Sequence, residues 1–471
     1  MSTILINLSK YILAFIMMIY TLLCFSINGT RKEKSLHRKY ITQNVLTMLI
    51  FTVCGIIILY YNPSVYSLVF FILEFIYLLI FIMLYYVIYP DCSRLIVNNM
   101  AMLMALGFIM VERLAPQNAM KQFLIVMAGT GISFIVPRIM RKRKIIYGFR
   151  YGFAILGIIF LGITLVLGMT TWGANISVEI GGFTFQPSEF VKLIYVLFVA
   201  AVLSKAREFK HIILSAVLAA IHVLILVAST DLGTALIFFI VYIVMLFVGS
   251  GKIRYLLAGL LCGSAASVLA YKFFSHVRVR ITAWKDPWSV IDGKGYQITQ
   301  SLFAIGTGGW FGAGLYQGLP TKIPVVVKDF VFSAIAEEFG IIFSICVILV
   351  CFSCFMTMMK TATRCKDLFY KLIIVGFATM YIFQCFLTIG GVTKFIPLTG
   401  VTLPFVSYGG SSILCSLIMF SMVQAAFVLV KENEEDEKII TEEVREKESG
   451  NRKSDSKSGS QKKQKKKSGK S

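Results

Sequence analysis

Residues 341–356 read IIFSICVILVCFSCFM, an apolar run with no charge and no alternation of polar and apolar positions. A strand of a membrane barrel would alternate with a period of two, and this run does not. Together with the apolar residues beside it, the run is long enough to cross a ~30 Å hydrocarbon core as a helix. Comparable runs lie at 11–27, 45–61, 65–89, 95–111, 122–137, 151–170, 190–204, 212–228, 232–249, 254–271, 330–357, 371–391 and 409–430, so thirteen spans are expected. Hydrophobic residues make up 57% of the 471-residue chain and charged residues 15%, far more apolar side chain than a soluble core uses. The first run lacks a basic leader and a small-residue cleavage site, so it reads as a retained span. The expected fold class is an all-α polytopic membrane protein.

Short basic connections recur at RKEKSLHRK (31–39), RIMRKRK (138–144), KAREFKH (205–211), GKIR (251–254) and KTATRCK (360–366). They occupy every second connection and therefore share one side, the cytoplasm by the excess of Lys and Arg. This puts the N-terminus outside and the C-terminus in the cytoplasm. The connections at 62–64, 112–121, 171–189, 229–231, 272–329 and 392–408 are then external. After residue 430 the chain turns low-complexity, acidic first and ending in QKKQKKK, which reads as a disordered, solvated cytoplasmic tail near anionic lipid. No aromatics interleave with those lysines, so nucleic acid is not an expected partner. Most of the ten cysteines lie singly within spans and the four histidines are scattered, so packing roles are expected and no metal site is assigned.

One long connection resists this pattern. Residues 272–340 read KFFSHVRVRITAWKDPWSVIDGKGYQITQSLFAIGTGGWFGAGLYQGLPTKIPVVVKDFVFSAIAEEFG, cationic and aromatic first, glycine-rich in the middle, ending in Lys328-Asp329 before a new apolar run. It has too many aromatics for a disordered linker and is expected to carry function. Its glycines lack the Gly-Lys-Ser/Thr ending of a phosphate loop, and fit a re-entrant or closely packed segment better. Arg278, Arg280, Lys285, Lys294 and Lys328, with Lys394 from the last external connection, would suit an anionic head group.

Of the 24 acidic residues, ten lie beyond residue 430, so the few near the external ends of the spans are functional candidates. Each has a structural reading too. Glu189 and Lys192, three apart, can neutralise one another. Asp231 can cap the following span. Glu337 and Glu338 face different sides of one helix, and at least one must find a cation. Asp329 opens a helix after a proline-containing approach, where the dipole favours its charge and burial opposes it. It is either a cap or a carboxylate able to accept a proton from a sugar hydroxyl.

Six segments, FQPSEFVKL (185–193), DLGTALIFF (231–239), Arg280-x3-Trp284-x-Asp286-Pro287-Trp288, GYQITQSLFAIGTGGWFGAGL (295–315), KDFVFSAIAEEFG (328–340) and GGVTKFIPLTGVTLPFVSYGGSS (390–412), resemble in order those of the SEDS family (shape, elongation, division and sporulation; RodA, FtsW and SpoVE type). The resemblance covers residues 95–430 and implies a ten-helix core with a large external catalytic loop at 272–329. Residues 1–94, about three spans, are an extra module on which it is silent. It implies a peptidoglycan glycosyltransferase that polymerises lipid II outside the cytoplasmic membrane, serving elongation, division or sporulation. The implied partners are lipid II, an undecaprenyl-linked glycan strand and a class B penicillin-binding protein.

The family's essential aspartate matches Asp329, which would be the catalytic base of an inverting transfer releasing undecaprenyl pyrophosphate. Within the matching or adjoining segments, Glu189, Lys192, Asp231, Arg280, Lys285, Lys294, Gln297, Lys328, Glu337, Lys394, Ser407 and Ser411 are candidates for binding substrate. No cofactor is firmly implied, although a divalent cation, Mg or Mn, could accompany the pyrophosphate. Two departures stand out. Gly173-Ala174-Asn175-Ile176-Ser177 lacks the arginines usual there, and Ser229-Thr230-Asp231 replaces the usual Gln-Pro-Asp. The competing readings are a lipid II flippase and a non-catalytic scaffold for the transpeptidase.

Overall fold

The computed structural model describes residues 2–27, 29–30, 32–171, 174–180, 183–205 and 209–436. The tail from 437 onward, with the expectations attached to its charge runs, and Gly173 lie outside the described residues. The helices are α1 (Ser2–Ile27), α2 (Glu33–Tyr61), α3 (Val65–Ile88), α4 (Arg94–Leu114), α5 (Pro116–Met140), α6 (Arg143–Gly148), α7 (Arg150–Leu167), α8 (Pro187–Leu203), α9 (Phe209–Ala228), α10 (Leu232–Ser250), α11 (Ile253–Phe273), α12 (Ser275–Lys285), α13 (Tyr296–Gly308), α14 (Val331–Arg364), α15 (Leu368–Val392) and α16 (Gly410–Asp436). Twelve are long and apolar enough to cross a membrane. The 17-residue α8 supplies the thirteenth expected span.

The bundle is the expected all-α architecture with one addition. Between α7 and α8 the chain forms a small antiparallel meander, β1 (Met169–Thr171), β2 (Ala174–Ile180) and β3 (Phe183–Phe185), with Thr171 opposite Ala174 and Val178 opposite Phe185. The 272–329 connection is also more ordered than a loop, since it contains α12 and α13.

Side-chain pairs sort the connections into two ends. At one, Arg141 pairs with Glu432, Arg143 with Asp367, Arg364 with Glu434 and Lys431 with Asp91, tying the basic connections to the start of α4 and the end of α16. At the other, Asn62 Nδ2 donates to Tyr316 Oη at 2.7 Å, Trp284 Nε1 donates to the Lys394 carbonyl at 3.1 Å, and the Gln186 amide donates to Ser411 Oγ at 3.1 Å. The core runs through α4, α8, α14 and α15. Every residue of α4 from 95 to 112 is buried, because α2 and α3 cover one side of it while α5 and α14 cover others. No residue of α11 is buried, so that helix stands at the rim.

The long α14 is two helices joined at a break. Gly340 has φ 84° and ψ 173°, outside any helix. In hydrocarbon, each peptide group freed by such a break costs several kcal/mol unless it finds a partner. The glycine-rich segment supplies those partners. The amides of Ala313 and Gly314 donate to the carbonyls of Glu337 and Glu338 at 2.8 and 2.9 Å, and the Ile341 amide donates to the Gly309 carbonyl at 2.9 Å. Of the two readings offered by the sequence, a re-entrant or a closely packed segment, the close packing is what these bonds display. The approach is so tight that a Cβ on Gly312 (φ 82°) would sit 2.2 Å from the Glu338 carbonyl oxygen, and one on Gly340 would sit 2.3 Å from the Gly312 nitrogen.

Gly312→Ala and Gly340→Ala should therefore each destabilise the protein by about 2–4 kcal/mol. Gly306→Ala, where an added Cβ meets nothing within 4 Å, should be neutral or slightly stabilising in its helix. Thermal unfolding in detergent reads the difference, and equal melting of all three variants would dismiss the packing described.

Candidate active site

A cleft of about 670 Å³ opens at the end of the bundle opposite the basic connections. Its walls are the starts of α8 and α10, one face of α12, the start of α13, the turn before α14 and residues 398–402. It gathers seven of the sequence candidates: Glu189, Asp231, Arg280, Lys294, Gln297, Lys328 and Asp329.

Asp329 sits in the turn two residues before α14, whose N-cap is Phe330, so it is not the cap of that helix. Gly400 faces it, and a Cβ built there would lie 3.6 Å from Asp329 Oδ2. The residue keeps partial contact with solvent through the cleft, while the surrounding protein desolvates its carboxyl. Burial pushes the Asp329 pKa up to about 6, and the positive charges of Lys328 and Arg280 hold it from rising further. Arg280 is affected in the opposite sense. Its own burial lowers its pKa, opposed by the charges of Asp231 and Asp329, and its Nη1 donates to the Thr399 carbonyl at 3.2 Å. One guanidinium on α12 thus acts on two carboxylates from different elements.

The other acids of the cleft are already engaged. Asp231 caps α10, with Oδ1 accepting from the Thr234 amide at 3.1 Å, and its Oδ2 accepts from Ser188 Oγ at 3.4 Å. Glu189 accepts from Lys192 Nζ at 2.6 Å, and that nitrogen also donates to Gln384 Oε1 at 3.2 Å. Pro187 opens α8, a position where its missing N–H leaves no helical bond unmade, and both Glu189 and Lys192 are buried.

The remaining candidates lie outside the lining. Lys192 is buried behind Glu189, and Lys285 is exposed in the last turn of α12. Lys394 contributes its carbonyl to Trp284. Glu337 accepts from the Leu319 amide at 2.8 Å and so holds the turn below the glycine segment. Ser407 Oγ accepts from the Leu403 amide at 2.9 Å, and Ser411 Oγ from Gln186. None of these residues lines the cleft. Glu338, not Glu337, takes the cation expected for this pair, with Arg113 Nη2 at 2.8 Å from its Oε1.

Sequence reasoning passed over Thr399. It lines the cleft, and its Oγ1 is buried without a hydrogen-bond partner. The only signal was its place in the FIPLTG run of a matching segment.

The family model for FtsW/RodA/SpoVE, described as cell cycle proteins, matches residues 92–431. The peptidoglycan glycosyltransferase RodA of Mycobacterium leprae is 33% identical over 360 residues, covering 71% of this chain and 77% of that one. Stage V sporulation protein E of Bacillus subtilis is 35% identical over 263 residues, covering 54% of this chain and 71% of its own. Among solved structures, a chain of a peptidoglycan synthase complex that coordinates polymerization and crosslinking superposes with a TM-score of 0.60 at 27% identity, covering 72% of this chain and 98% of its own. The rod shape determining protein RodA of Thermus thermophilus gives 0.54 at 27% identity, covering 71% and 96%.

The buried pair beneath the cleft yields a test separate from chemistry. Lys192→Met strands a buried carboxylate and should cost about 3–5 kcal/mol, whereas Glu189→Gln combined with Lys192→Met should recover most of that loss. Thermal melts of the single and double variants decide it. A single variant as stable as the wild type would show that Glu189 does not need its lysine.

Proposed function

Because the chain belongs to the FtsW/RodA/SpoVE family of cell cycle proteins, and is a peptidoglycan glycosyltransferase of the cytoplasmic membrane, we propose that it polymerises lipid II in the cleft around Asp329. The observation that carries this reading is a cleft that gathers the carboxylate of Asp329 with Arg280, Lys294 and Lys328 at the end of the bundle away from the basic connections. The end rich in Lys and Arg is cytoplasmic by their excess in the short connections. The cleft then opens outside, with the N-terminus external and the C-terminus inside.

Asp329 takes the proton from the GlcNAc C4 hydroxyl of the incoming lipid II. The oxygen so freed attacks the anomeric carbon of the lipid-linked strand, and the bond from that carbon to the pyrophosphate oxygen breaks with inversion. The electron pair leaves on undecaprenyl pyrophosphate. A single displacement needs no covalent glycosyl-enzyme intermediate. Arg280, Lys294 and Lys328 stand at the cleft to meet the charge that develops on the leaving group.

No group of three or more His, Cys, Asp or Glu side chains among the described residues could hold a metal ion. The similarity to a chain of a complex coupling polymerization to crosslinking supports a crosslinking partner, which we take to be a class B penicillin-binding protein.

Asp329→Asn should lower the rate of lipid II polymerisation by at least about 100-fold while lipid II still binds. A base works in its deprotonated form, so the wild-type rate should climb through about pH 6 and level off above it. Arg280 favours the charged carboxylate, so Arg280→Gln should move that climb to higher pH. Gel analysis of glycan strands made by the purified protein with its partner reads all three. Equal polymer from Asp329→Asn would remove Asp329 from the chemistry.

A further inference from the structure

A second carboxylate at the same end of the bundle has no assigned work. Glu112, in the last turn of α4, is 7% exposed, and it lines a pocket of about 430 Å³ between the α2–α3 turn and the start of α5. It makes no hydrogen bond or ion pair with another described residue. Glu74 of α3, within electrostatic reach of Glu112, is 1% exposed and leaves its Oε2 without a partner among the described residues. Neighbouring cations do not answer this charge. Arg113 is committed to Glu338 and lies over the Tyr316 ring at 4.2 Å from its centroid, and Lys10 Nζ donates to the Gly312 carbonyl at 3.1 Å.

The chain carries 46 Lys and Arg residues against 24 acids, yet none of the described ones forms an ion pair with either of these two. An uncompensated carboxylate in a low-dielectric site is costly, which favours a cation arriving from outside. The walls indicate which kind. Tyr61, Tyr66 and Phe70 present aromatic surface, and Asn62 and Ser67 add hydrogen-bonding groups near the single pocket carboxylate. A hard divalent metal takes several carboxylate or carbonyl oxygens. An organic ammonium takes one charge, a few acceptors and aromatic faces.

We propose that this pocket binds a primary ammonium group presented at the membrane surface, either on a lipid head group or on a free amine. It is a site apart from the cleft of Asp329 and does not rest on that carboxylate's role.

The test uses the full chain in nanodiscs containing phosphatidylethanolamine, with phosphatidylcholine discs as the quaternary-ammonium control and phosphatidylglycerol discs as the control without an amine. Native mass spectrometry after transfer to detergent reads the lipid retained. Wild type should keep phosphatidylethanolamine about tenfold better than either control. Glu112→Gln, and Ser67→Phe, which fills the pocket from the α3 side, should both abolish that preference while polymerising lipid II as wild type does. Competition by ethanolamine separates the two sources. Displacement shows that the bare ammonium is sufficient, and persistence of the lipid places recognition on the whole head group; both support the site. Retention unchanged in Glu112→Gln and Ser67→Phe, or no preference among the three lipids in the wild type, would overturn it.

Discussion

The break in α14 at Gly340 is the constraint on which the cleft end of the bundle depends. A helix interrupted at membrane depth must hand its freed peptide groups to something, and the sequence delivers residues 308–314 to receive them. Once that segment is clamped, the chain that follows has little freedom. Glu338 holds the Tyr316 amide at 3.2 Å, and Glu337 holds that of Leu319. The chain then descends through 320–328 and delivers Asp329 to the cleft. The first helices add to the clamp from the other side. Tyr11 packs on Phe311 at 4.9 Å, and Tyr61 stacks on Tyr316 at 4.7 Å between ring centroids.

Within the cleft, three carboxylates of one chain are set to different tasks by what surrounds them. Glu189 has a lysine of its own three residues on, so its charge is cancelled within one helical turn. Asp231 spends its oxygens on the N-terminus of α10 and on Ser188. Only Asp329 is desolvated with its cations at a distance, held by Arg280 and Lys328 without being neutralised. Of the three, Asp329 is the carboxylate left without a hydrogen-bonded or ion-paired partner of its own among the described residues, and burial raises its pKa toward neutrality. Arg280 links the three walls, since it senses Asp231 and Asp329 and bonds the 398–402 segment.

Much of this was legible in the sequence, for physical reasons. Apolar runs of spanning length have one solution in a bilayer, and alternating basic connections fix which ends lie together. The glycines of 306–318, lacking a phosphate-loop ending, read as a re-entrant or closely packed segment, and close packing is found at Gly308 and Gly312. Other features left no trace. The break at Gly340 falls inside an apolar run that reads as one helix, because a positive φ has no signature beyond a lone glycine. Residues 275–285 and 296–308 form helices whose cationic and glycine-rich compositions read as loop. The meander at 169–185 is made of strands too short to show a period. Glu337 and Glu338 are adjacent, so spacing could not say which would meet Arg113, a residue far away in the chain. Thr399 is a threonine among threonines, and only its surroundings make it an orphan.

The three helices preceding the family match explain a peculiarity of α4. That helix carries Asn98, Asn99 and Glu112 in its buried length, groups that a helix facing lipid would expose to hydrocarbon. Here the first helices receive them. Tyr20 Oη donates to Asn99 Oδ1 at 3.0 Å, and Asn98 Nδ2 donates to Gln43 Oε1 at 3.0 Å. Interhelical bonds of this kind are modest individually, but an unsatisfied amide in lipid is not a tolerable alternative. The polar ladder on α4 and the helices that satisfy it therefore require one another. Glu112 is the rung left open at the end of that ladder, beside the turn between α2 and α3.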